Sequence, residues 1–118
     1  MLGQLAPLQD CIRARQAEGV AFVLLGDFNR WMDAGDQFWP GLEQAAPLVR
    51  ATEGHSSPCW GGEGFIDHII AGGAARDWMQ PDSLRVLAYR ETGEAWKERL
   101  SDHCPVSVRF ALPDQSAQ

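Results

Sequence analysis

The stretch Val20-Ala21-Phe22-Val23-Leu24-Leu25-Gly26-Asp27-Phe28-Asn29 decides the fold. Its first six residues are apolar without interruption and rich in β-formers. A short run of this kind, with Gly19 before it and Gly26 after it, reads as a strand covered on both faces. The strand then delivers a carboxylate, Asp27, and an amide, Asn29, to its C-terminal end. Strand ends of α/β sheets are common places for ligand sites, and a glycine permits a sharp backbone exit. In an ordinary turn the same two residues serve local hydrogen bonds, so this motif alone leaves both readings open.

Working outward, Leu5, Leu8 and Ile12 follow helical spacing, which predicts a first helix over about Leu2 to Glu18 with Gly19 at its C-terminal cap. Downstream, Asp33-Ala-Gly-Asp36 reads as a turn and helix N-cap. Phe38 to Ala46 reads as a short helix weakened by Pro40 and Gly41. Leu48 to Thr52 and Phe65 to Ile70 read as strands, the latter ended by Gly72-Gly73. Ser83 to Tyr89 is a further strand, and Glu91 to Arg99 a short helical turn. Val106, Val108, Phe110 and Leu112 alternate with smaller or polar residues, as in a strand with one wet face. The tail from Pro113 is polar and reads as frayed. The expected class is α/β or α+β in one unit, with no internal repeat.

The composition narrows the function. The chain has 118 residues, 45% hydrophobic and 22% charged, which is the balance of a globular domain and not of a disordered one. A net charge of -6 and a pI near 4.9 argue against a dominant basic patch for nucleic acid. They leave room for a phosphate-cleaving site, since such sites are often rich in metal-binding carboxylates. No apolar run approaches the ~20 residues of a membrane span. Met1 to Pro7 has neither the basic region nor the long apolar stretch of a signal peptide. The three cysteines, Cys11, Cys59 and Cys104, lack CxxC spacing and read as reduced thiols, with a Cys11–Cys59 disulfide as the alternative.

Two more polar clusters abut apolar segments. Asp67 sits inside Phe65-Ile-Asp-His-Ile-Ile70, where an unpaired buried carboxylate would cost several kcal/mol. His68, its neighbour, points to the opposite face of a strand and reads as structural. Ser101-Asp102-His103 precedes Cys104-Pro105 and a strand. In an extended chain Asp102 and His103 cannot pair on one side but can serve different partners, a metal for the carboxylate and a phosphate oxygen for the imidazole; read alone, the segment is equally a polar loop before a strand-starting proline. A zinc site from His55, His68, His103 and a cysteine lacks the short paired spacings of such sites. The five tryptophans read mainly as packing residues.

The segments Gly-Asp-Phe-Asn at 26–29, Phe-Ile-Asp-His-Ile at 65–69 and Leu-Ser-Asp-His-Cys-Pro-Val at 100–106 together resemble the endonuclease/exonuclease/phosphatase superfamily, the DNase I-like metal-dependent phosphoesterases. They stand in the family's order. Thr52, Gly54, Ser57, Cys59 and Trp60 look like a bacterial branch of it. The resemblance implies that Asp27 orients or deprotonates the attacking water, with Asn29 bonded to the scissile phosphate. It makes His103 the contact to a non-bridging oxygen and Asp67 the partner of the other nitrogen of His103. Asp102, with Asp27, would serve a divalent metal, Mg²⁺ or Mn²⁺. Arg30 and Trp31 are the nearest candidates for substrate contact.

The same resemblance implies a C-terminal half. The family domain is about twice this length: two packed sheets with helices outside, a four-layer α/β sandwich. Its N-terminal half carries an Asn and a metal-binding Glu that have no counterpart before Asp27. The chain should therefore supply one mostly antiparallel or mixed sheet with flanking helices. Part of the apolar surface of Val20–Leu25 and Phe65–Ile70 should lie open, or be covered by the missing half or by a second copy in a homodimer. The expected substrate is a phosphate ester, nucleic acid among the family's choices. The alternative is a non-catalytic half-domain or a split-enzyme subunit.

Overall fold

A computed structural model describes residues 4–28, 32, 35–55, 65–87 and 104–113. It is a mixed α/β arrangement of helices and small antiparallel sheets, in the order α1 (Leu5–Ala17), β1 (Phe22–Asp27), α2 (Phe38–Ala45), β2 (Leu48–Arg50), β3 (Asp67–Gly72), α3 (Ala75–Trp78), β4 (Arg85–Val86) and β5 (Val106–Ser107). The segments 91–99 and 114–118, read above as a helical turn and a frayed tail, lie outside the described residues.

Helix α1 ends where its sequence says it should. Gly19 takes a positive φ of 71°, and its N–H donates to the Gln16 carbonyl. Helix α2 tolerates Pro40 because Pro40 falls in the first turn, where backbone N–H groups have no partner within the helix. The Asp36 carboxylate accepts from the Phe38 N–H at 2.9 Å and satisfies one of those donors. Gly41 is where α1 and α2 meet: the Leu5 side chain fills the space a Cβ would need, and Gln9 Nε2 donates to the Gly41 carbonyl at 2.8 Å.

The main sheet has three strands in the order β1-β3-β2, with both neighbours antiparallel to the central β3. Phe22 pairs with Gly72 and Asp27 with Asp67, while Leu48 pairs with Gly72 and Arg50 with Ile70. Ladder hydrogen bonds continue past the named strands, from the Phe28 N–H to Ile66 and from the Ala51 N–H to Ile69. A second, two-stranded ribbon pairs β4 with β5. Ser83 holds it together, its hydroxyl donating to the Gln80 carbonyl and accepting from the Arg109 N–H.

Period-2 alternation gives the three-stranded sheet two unlike faces. Phe22, Leu24, Phe28, Leu48 and Ile70 turn toward α1 and α2, and there join Ile12, Met32, Phe38, Trp39 and Leu42 in the core. Val23, Leu25 and Val49 turn the other way and are 38%, 71% and 39% exposed. The first strand is therefore not covered on both faces. Its apolar run reflects one packed face and one open apolar face, a distinction that an unbroken run of hydrophobics does not encode. Of the open surface expected over Val20–Leu25 and Phe65–Ile70, the first segment supplies Val20, Val23 and Leu25, whereas the second is largely closed, with Phe65 and Ile70 buried.

The cysteines correct another expectation. Cys104 is disulfide-bonded, whereas Cys11 is a free thiol on the exposed side of α1. A Cys11–Cys59 bridge is thereby excluded, and the chain is not a set of reduced thiols.

Candidate functional site

Two of the carboxylates singled out by sequence come together. Asp27 ends β1, Asp67 begins β3, and the register sets them directly opposite each other. Alternation puts them on the face that carries Leu25, so both stand at the rim of the open apolar surface. Asp27 is exposed and Asp67 half-buried. Cβ atoms of directly opposed residues lie about 4.5–5.5 Å apart, close enough for the two side chains to reach one ligand.

Gly26 shapes the approach. Its φ is 142°, a region that side-chain-bearing residues rarely adopt, and a Cβ there would meet no other atom within 4 Å. The glycine is needed for its backbone and not for space. It lets β1 bend immediately before Asp27 while the Phe28 N–H still reaches Ile66.

Beneath the carboxylates lies a buried polar group that the sequence reading missed in part. His68 is 1% exposed and Thr52 is 2% exposed, and Thr52 Oγ1 lies 2.5 Å from His68 Nδ1. The phenyl ring of Phe28 is tilted against the imidazole with centroids 5.8 Å apart. His68 is thus a core residue facing away from Asp67, as its position beside Asp67 in a strand requires. Thr52 lies in the turn just past β2, two residues beyond Arg50, and the period of a strand over Leu48–Thr52 is the signal that could have grouped it with Leu48 and Arg50.

Arg50 is the third member. Its side chain is only 8% exposed. Nη2 donates to the Met32 carbonyl at 3.2 Å, Nη1 approaches Thr52 Oγ1 at 3.5 Å, and the guanidinium stacks over Trp39 at 5.0 Å. Its Nε is buried without a hydrogen-bond partner. Burial lowers the pKa of Arg50 from its ordinary value, opposed by the charges of Glu53 and Glu43. A charge this enclosed is kept by the carbonyl and the ring it touches.

Asn29, Arg30, Trp31, Asp102 and His103 lie outside the described residues. Among the described residues no group of three His, Cys, Asp or Glu side chains could hold a metal ion, so Asp27 and Asp67 form at most part of a donor set. Also among the described residues, no helix is long and apolar enough to cross a membrane. No protein-family model, curated protein or solved structure matches the chain.

Proposed function

We propose that this chain is the C-terminal half of a DNase I-like, divalent-metal-dependent phosphoesterase domain, a hydrolase of phosphate esters with nucleic acid among its candidate substrates. The observation that carries the reading is the opposition of Asp27 and Asp67 across β1 and β3, at the edge of an apolar face left open by α1 and α2. Two motifs separated by some forty residues in sequence converge on one strand end, on the side where a second sheet would pack.

In this reading Asp27 holds the attacking water and takes up its proton, and Asn29 holds a phosphate oxygen. Asp67 fixes the orientation of His103, which stabilises charge on a non-bridging oxygen. Arg30 and Trp31 flank the substrate. The donors Asp27 and Asp102 are hard oxygens, which suit Mg²⁺ or Mn²⁺. The bound ion would polarise the phosphoryl oxygen. The remaining metal-binding Glu comes from the other half of the domain, so the chain alone is a weak catalyst or none. The exposed Leu25 and Val23 favour a second form of the same reading, a split-enzyme subunit or non-catalytic half-domain whose open face is covered by its partner.

Two measurements test this. Paramagnetic Mn²⁺ titrated into the ¹⁵N-labelled chain is expected to broaden the amides of 26–28 and 66–68 first, and Asp27→Asn should abolish the effect. Mg²⁺-dependent cleavage of plasmid DNA or of an aryl phosphodiester, if found, should be lost in Asp27→Ala and His103→Ala. Uniform broadening, or cleavage that survives both substitutions, refutes the assignment.

A further inference from the structure

Asp67 and His68 are sequence neighbours on the central strand with opposite fates: one stands on the open face, the other is sealed in the core. On the core side His68 lies opposite Gly26 in register, and its imidazole is bonded to Thr52, which follows β2. Phe28, which directly follows Asp27, packs on the same imidazole and on Phe38 of α2, with ring centroids 5.8 Å and 6.3 Å apart. The residue after each carboxylate is therefore anchored from below, and both anchors meet at His68.

Apolar side chains would fill this space without the cost of burying polar atoms. A hydroxyl–imidazole bond adds what apolar contact lacks, a fixed direction and length. It ties the exit of β2 to the strand residue that directly follows Asp67. Arg50 Nη1 donates toward the same Thr52 Oγ1 at 3.5 Å, so the hydroxyl stands between a buried cation and the imidazole.

We propose that Thr52 and His68 are positioning residues, whose hydrogen bond sets the pitch of the two strand ends so that the Asp27 and Asp67 carboxylates face one common point. The functional meaning of that point rests on the phosphoesterase reading; the positioning itself does not.

The test compares Thr52→Val, which keeps shape and removes the hydroxyl, with Thr52→Ser, which keeps the hydroxyl. The readouts are the ¹³C carboxyl signals of Asp27 and Asp67, the Mn²⁺ titration, and the ring ¹⁵N signals of His68. In the wild-type protein the ring signals should report a hydrogen-bonded Nδ1. Thr52→Val should shift both carboxyl signals and weaken Mn²⁺ binding about 10-fold or more, in the range of lost supporting hydrogen bonds at metal sites. Thr52→Ser should stay close to wild type. The proposal is overturned if the wild-type His68 Nδ1 shows no hydrogen bond, if Thr52→Val leaves the carboxyl signals in place, or if Thr52→Ser moves them as far. The wild-type ring measurement decides even where Thr52→Val does not fold. Absence of localised Mn²⁺ binding in wild type counts against the phosphoesterase reading alone, because the carboxyl signals still report positioning.

Discussion

Truncating one residue on each face of the sheet measures which face is the core. Ile70 is fully buried and Leu25 is 71% exposed, although both are aliphatic and sit on paired strands. Ile70→Ala removes a fully buried aliphatic group and should cost about 2–5 kcal/mol. Leu25 hides under a third of its surface. Full burial of such a side chain is worth about 1.5–3 kcal/mol, so Leu25→Ala should cost at most about 1 kcal/mol. With a urea m-value of about 1.5 kcal/mol per M, Ile70→Ala lowers the midpoint by roughly 1.5–3 M. Leu25→Ala lowers it by no more than about 0.7 M. The assay is equilibrium urea unfolding of each variant by tryptophan fluorescence, with m held as a check on two-state behaviour. Equal shifts for the two variants would refute the reasoning, because they would mean that the Leu25 face is buried in solution. A wild-type midpoint rising with protein concentration would then identify a second copy as its cover.

Gly26→Ala should destabilise the protein by about 1–3 kcal/mol through backbone strain alone, since a Cβ at that position meets nothing; an unchanged urea midpoint would show that the positive φ is not maintained. Alkylation before reduction should label one thiol per chain, at Cys11, and after reduction three, by mass spectrometry; labelling of Cys104 without reductant would contradict the disulfide.

Much of the architecture was legible because it rests on local signals. Gly19 stops α1, Asp36 accepts from the first N–H of α2 although the N-cap itself is Gln37, and Gly72-Gly73 closes β3. The first strand was legible in kind but displaced. It runs Phe22–Asp27 and so carries Asp27 as its last residue, because pairing with β3 extends as far as Asp67. What covers each face was not legible: Leu24 and Leu25 are identical side chains whose surroundings depend on α1 and α2, not on the strand. Helix α3, Ala75–Trp78, is too short to show a period. Asp27 and Asp67 could be singled out from their apolar surroundings, and the register sets them opposite each other. Arg50 and its contacts could not, because an Arg in a plausible surface strand gives no sign that Trp39 and Met32 will enclose it.

The strand order β1-β3-β2 has a consequence for the chain as it is made. Both outer strands precede the strand that joins them, so neither has a partner when it leaves the ribosome. About 40 residues separate Asp27 from Asp67. At ~5–20 residues per second, synthesis of that interval takes roughly 2–8 s. Throughout it the nascent chain displays the unpaired β1, bearing Val23 and Leu25, joined about halfway by the unpaired β2. Unpaired edges are templates for wrong pairing, so the arrival of β3 closes the interval in which the new chain is most open to misassociation.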